Sequence, residues 1–303
     1  MSNSSNSGQV LFGLEGTQIL MNSPPQPPIN FIPETWEIVE KLEEDTVTQS
    51  EQNFIDGQGP AYVAGKFLCR PSGARGPLAI LRIYHQIPWL GTELRKASVR
   101  AAQATGPFEP PELQALKHFK QQGCKVVPEL LGYQFEKQDK EDIIPGGFVT
   151  YVIWKKVPGE PLDFTRFWNC TFSERQNIRA KFRQIYEKLL PFDYQVWVPS
   201  STKIIYEWST GEMHISGFKD ATNRFLNKVW SDAHYASHDL VLVDPSIKSY
   251  FPIESIDLYR DDNGWECAAP TTIPVARHRG SAGSPGDWVE LALRLTWPAA
   301  RRS

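Results

Sequence analysis

The residues best suited to chemistry are few and scattered. His234 and His238 are four apart in HYASH, with Asp232 and Asp239 beside them. On one helix face that spacing presents two nitrogen ligands to a metal. Spacing sets no third ligand, so an exposed surface pair is the expectation. Asp193 and Asp220 are carboxylates on either side of the stretch Lys203 to Ala221, KIIYEWSTGEMHISGFKDA. Arg179, Lys181, Arg183 and Lys188 alternate with apolar residues and read as the solvated face of a helix. The run Glu43-Glu44-Asp45 reads as a solvated linker. Cys69, Cys124, Cys170 and Cys267 lie far apart with no C-x-x-C pair, the usage of reduced thiols in a cytosolic protein. There is no G-x-S-x-G, no P-loop and no H-E-x-x-H.

These residues need elements to position them. Lys203 to Ala221 reads as a β-hairpin: Ile204, Ile205 and Tyr206 form one strand, Ser209-Thr210-Gly211 the turn, and Met213, Ile215 and Phe218 the return. Residues 61–70 and 78–87 are two β-rich runs joined by a turn-rich PSGARGP. Residues 147–154 are a further buried strand. Leu113, Leu116 and Phe119 have helical spacing within 111–122. A long helix is expected over 173–190, with Ser173 and Gln176 as its capping box and Ile178, Phe182, Ile185, Tyr186 and Leu189 as its buried stripe. A short helix is expected over 33–42, capped by Thr35, and a helical turn over 164–168. Toward the C-terminus a helix is expected over 223–230, a strand-like run over 240–245 and one amphipathic helix over 287–297.

At 303 residues, 41% hydrophobic and 12% aromatic, the chain is globular. A net charge of −3 leaves no electrostatic footprint for nucleic acid. Neither a secretory signal nor an apolar run of about 20 residues is present, so no membrane span is expected, and the compartment is cytoplasmic or nuclear.

Several phrases carry a resemblance. The hairpin ends in Ile215-Ser216-Gly217-Phe218-Lys219-Asp220-Ala221, the strand Leu78–Ile87 contains Ala79-Ile80-Leu81-Arg82, and 126–133 reads VVPELLGY. A strand then runs into Val157-Pro158-Gly159-Glu160-Pro161-Leu162. Together these resemble the protein-kinase-like fold, above all its choline- and aminoglycoside-phosphotransferase-like branch, over residues 50–221. PGGFV, VPGEPL, KIIY and STGEMHISGF are also similar to a fungal group of degenerate kinase-like proteins. The resemblance implies an α+β, two-lobed chain with a small antiparallel β-sheet lobe, one helix in it, and a shortened, mainly helical large lobe. The expected layout is a flexible segment 1–33, a small lobe 34–154, a hinge and large lobe 155–260, and an irregular tail 261–303.

The resemblance also implies where chemistry belongs. Arg82 stands at the phosphate-gripping lysine, and Glu112 on the following helix is its expected ion-pair partner. Val157 lies in the hinge whose backbone would hold adenine, so Arg82, Glu112 and Val157 outline a vestigial nucleotide cleft. Gly57-Gln58-Gly59-Pro60 is all that remains of a glycine-rich loop and reads as a plain turn. The catalytic His falls at Val196, the catalytic Asp at Val198, and the metal-binding Asn and Asp at Lys203 and Gly217. Phosphoryl transfer needs oxygen ligands for Mg²⁺ and an acceptor to orient the nucleophile. None of these four residues is either, so no catalytic and no metal residue is expected. No cofactor is expected, with ATP binding without Mg²⁺ left open. The reading is a pseudokinase that acts by binding a protein partner or a small ligand. Its alternatives are an active or atypical ATP-dependent phosphotransferase on a small molecule or protein, with Asp193, Asp220 or Lys203 rescuing the site, and a structural remnant without activity.

Overall fold

The computed structural model describes residues 10–22, 31–73, 76–223, 229–243 and 259–261. The chain opens with β1 (Gln18–Met21) and β2 (Glu34–Val47), which pair antiparallel. β2 occupies the segment expected as a helix. Trp36 and Ile38 are both buried on one sheet face. In a helix, residues two apart point to nearly opposite sides, so only a strand buries both together. Burial and pairing with strands on both sides outweigh the local cap signal at Thr35. The segment expected to be flexible also contributes packing: β1 pairs with β2, and Leu11, Met21 and Phe31 are buried.

After α1 (Glu51–Ile55) come β3 (Tyr62–Pro71) and β4 (Ala79–Gln86). β4 is buried almost throughout and reads as a near-continuous apolar run, because the sheet is covered on both faces. α2 (Ala97–Ala101), α3 (Pro111–Gln121), β5 (Leu130–Lys137) and β6 (Phe148–Lys155) follow. The six strands form one antiparallel sheet in the order β1-β2-β3-β4-β6-β5. One face carries Leu11, Met21, Trp36, Ile38, Phe67, Leu81 and Ile153. The other packs on Leu113, Leu116 and Phe119 of α3, and that core continues without a break into the second half of the chain.

That half begins with β7 (Glu160–Pro161), α4 (Phe164–Asn169) and α5 (Phe172–Leu189). β8 (Ile204–Glu207) and β9 (Glu212–Ile215) form the expected hairpin and join β7 in a three-stranded sheet. α6 (Ala233–Ser237) and the pair β10 (Leu242–Val243) and β11 (Tyr259–Arg260) complete the described elements. The helix expected over 223–230 falls largely, and that over 287–297 wholly, outside the described residues.

Two expectations about α5 are corrected. Its cap is Thr171, whose hydroxyl accepts from the Glu174 N–H while the Glu174 carboxylate accepts from the Thr171 N–H. Ser173 sits inside the first turn, because Glu174 is a stronger acceptor for the reciprocal bond than Gln176. Arg179 is buried, not part of the solvated face. With the equally buried Arg175 it binds the Asp261 carboxylate, and its Nε donates to the Leu240 carbonyl. Asp261, assigned to the irregular tail, is thereby fixed against α5.

Candidate functional site

β4 and α3 meet at Arg82 and Glu112. Pro111 at the first helical position starts α3, which leaves Glu112 in the first turn facing the sheet. One guanidinium nitrogen, Nη1, donates to both Glu112 oxygens at 3.0 and 3.1 Å. The Tyr84 hydroxyl donates to the same carboxylate at 2.9 Å. Both charged residues are buried, Arg82 at 5% exposure and Glu112 at 3%. The second terminal nitrogen, Nη2, donates to Glu43 at 2.8 Å, and the Trp154 ring stacks 5.7 Å from the guanidinium carbon. Burial disfavours the cation, but Glu112, Tyr84 and Glu43 outweigh it and hold the Arg82 pKa above its ordinary value.

Glu43 comes from the run expected to be a linker. That run lies in β2, where successive side chains alternate between faces. Glu43 serves Arg82. Glu44 accepts from the N–H groups of Val10 and Leu11 and from Lys41. Asp45 accepts from Lys219 at 2.7 Å. The Lys219 bond, against a smaller effect of burial, holds the Asp45 carboxyl below its ordinary value, with the charges of Lys219, Arg82 and Lys203 adding to it. Glu43 and Asp45 thus place two acids beside three cations, Arg82, Lys66 and Lys219. Sequence reasoning missed both. Three consecutive acids look alike until a strand sends them to different faces.

The loop before the hairpin is held by a bridge between Gln195 and Thr222, with reciprocal backbone bonds of 2.9 and 3.0 Å. Val196 is buried in the core, whereas Val198 is 63% exposed. Trp197 is half exposed and Asp220 exposed. Lys203 ends a short 3₁₀ turn (Ser201–Lys203) and its carbonyl accepts from the Ser216 N–H. Gly217 adopts φ +83°, and a Cβ there would collide with the aliphatic chain of Lys203. Lys203 therefore fills the space that a side chain at 217 would take. The next residue, Phe218, is buried edge-on to Phe119 of α3, with ring centroids 4.8 Å apart.

The hinge requires glycine at one point. Gly159 has φ +91°, and a Cβ would lie 2.5 Å from the Tyr206 carbonyl carbon and oxygen. Only hydrogen in place of a side chain lets β7 approach β8 this closely. Val157 is buried and lines a cavity shared with Lys155 and His214, a lining that does not include Arg82 or Glu112. Arg82 and Glu112 are brought together; Val157 faces elsewhere. Gly57-Gln58-Gly59-Pro60 lies in the β2–β3 connection after α1, with both glycines at positive φ.

The histidine pair is not a surface pair. His238 is buried, and its ring packs on Phe182 and Tyr186, with His234 against Tyr186 and Trp230. His238 Nδ1 sits 2.9 Å from the His234 carbonyl. Burial pushes His234 down to about 4 and His238 down to about 3. Among the described residues no group of three His, Cys, Asp or Glu is placed to hold a metal. No described helix is long and apolar enough to cross a membrane.

The chain matches no protein-family model and no curated protein. Among solved structures it is similar to the Cydia pomonella granulovirus kinase PK-1, with a TM-score of 0.37 and 11% identity. The match covers 61% of this chain and 52% of the viral kinase chain, so it spans about half the length of that structure.

Proposed function

We propose that this chain is a catalytically impaired protein of the kinase-like fold that acts by binding a partner or a small ligand. The observation that carries this reading is Lys203 packed over Gly217. At the two positions where the resemblance calls for magnesium ligands stand an ammonium and a hydrogen atom. A carboxylate at 217 would have to displace Lys203. Exposed Val198 offers no acceptor for a substrate proton. The retained Arg82–Glu112 pair favours the alternative, an active or atypical phosphotransferase, because an active kinase needs the equivalent base–acid pair in place.

The test is a thermal-shift titration of the full chain with ATP, with and without Mg²⁺. A ligand that binds only the folded state raises the melting temperature by mass action. The expected outcome is no magnesium-dependent shift and no transfer of the γ-phosphoryl group. A magnesium-dependent shift with turnover overturns the proposal and favours an active phosphotransferase. A magnesium-independent shift that disappears in Lys203→Ala identifies a nucleotide-binding pseudokinase with the lysine in place of the metal.

A further inference from the structure

The cavity lined by Val157 has a character of its own. It measures about 270 Å³ and lies between the last turn of α3, the segment 123–130, the end of β6 and β9. Its polar lining is Lys120, Lys125, Lys155, His214, Cys124 and Glu129, over an apolar floor that includes Phe119 and Leu130. Three lysines from three separate segments face a single carboxylate, in a chain whose net charge is −3.

The one acid is already engaged. Lys120 donates to Glu129 at 2.8 Å and to the Leu130 carbonyl at 2.9 Å. The Lys120 bond, against a smaller effect of burial, holds the Glu129 carboxyl below its ordinary value. The charges of Lys120, Lys125 and Lys155 lower it further. Lys125 and Lys155 form no ion pair among the described residues. His214 also lines the cavity, with Nε2 3.7 Å from Glu212, while its Nδ1 is closed off from solvent and does not offer itself to a ligand.

We infer that this cavity is a binding site for a phosphate group, free or carried by a small phosphorylated molecule, held by Lys125 and Lys155. Two ammonium groups without ion partners supply charge-assisted bonds to phosphate oxygens. The volume lies just below the roughly 300–1,000 Å³ of ordinary small-molecule sites, which suits a phosphate with a small substituent. The site uses neither Arg82, Glu112, Lys203 nor Gly217, and shares only Val157 with the expected nucleotide cleft.

The experiment is isothermal titration calorimetry of the full chain with inorganic phosphate, pyrophosphate and glycerol 3-phosphate, at ionic strength held constant with sodium chloride. Saturable binding of at least one probe is expected. The double variant Lys125→Ala/Lys155→Ala should bind it about tenfold more weakly or worse, with an unchanged melting temperature in the absence of probe, because both side chains are exposed. Binding of glycerol 3-phosphate alone identifies a phosphate ester, and binding of the inorganic probes alone identifies the free anion. Saturable binding of none of the three, or equal binding by the variant, overturns the site. If the double variant does not fold, Lys155→Gln alone provides the comparison.

Discussion

Arg82 and Gly217 are the two residues on which the catalytic question turns, and each makes a measurable claim about packing. Removing Arg82 leaves the Glu112 carboxylate buried with Tyr84 as its hydrogen-bond donor. Stranding a buried charge costs about 3–5 kcal/mol, so Arg82→Ala should lower the urea midpoint markedly. Glu43→Ala should cost less than about 1 kcal/mol, since that carboxylate is half exposed. Equal effects from the two would mean that the buried pair is not structural. At Gly217, any side chain meets both a left-handed backbone and Lys203. Gly217→Ala should destabilise by about 1–2 kcal/mol from the backbone alone, plus a contact contribution that Lys203→Ala relieves in a double-mutant cycle. A neutral Gly217→Ala would remove the steric argument against a carboxylate there. The Arg82–Glu112 pairing was legible before folding, because the helix residue four before Leu116 and the strand base matched a known pattern. Glu43 was not, since its role depends on β2 lying beside β4's neighbour β3.

At the level of elements, the clearest test is the start of α5. Thr171→Ala should cost about 1 kcal/mol by removing the cap, measured by chemical denaturation. Ser173→Ala should stay within about 0.5 kcal/mol, as for an exposed residue that makes no special contact. The reverse order would restore the cap expected from S-x-x-Q. Both T-x-x-E and S-x-x-Q are present within six residues, and local pattern alone does not rank them. The choice follows from where the buried stripe of Ile178, Phe182, Ile185 and Leu189 must point and from which carboxylate reaches back. β2 makes the same point with larger stakes. Its first residues carry a helix-start signal, yet Trp36 and Ile38 reach a common core only when extended, and β1 and β3 then satisfy its backbone on both edges. The hairpin β8–β9 went the other way: its turn, its alternation and its apolar frame were all local, and it formed where expected.

Over the whole molecule, acid should act through the aromatic cluster between α5 and α6. His234 and His238 titrate near 6.5 when unfolded but at about 4 and about 3 when folded, because burial opposes their charge. The unfolded chain therefore binds more protons below neutrality. The stability these groups confer is complete above about pH 6.5 and is lost as pH falls toward 4, by up to about 1.4 kcal/mol per pH unit for each histidine. Urea midpoints should drop between pH 7 and pH 5, and His238→Gln should show a slope shallower by about one proton. A flat profile in the parent chain would contradict the burial of this pair. Its spacing, HYASH, could not distinguish a surface metal pair from a buried aromatic wall, because helical spacing says which residues share a face and not what that face meets. The same limit applies to Arg179, which reads as a solvated base until Asp261 arrives from 82 residues away. Residue order alone was enough for the hairpin, the two β-rich runs, α3, the stripe of α5 and the absence of acids at 198 and 217. These depend on short-range periodicity or on the identity of single residues. Which face each charge meets, which cap closes α5, how Lys203 covers Gly217 and where three lysines surround a cavity all depend on segments distant in sequence. Those pairings are set by burying apolar surface and pairing charges across the assembled core, and no local pattern records them.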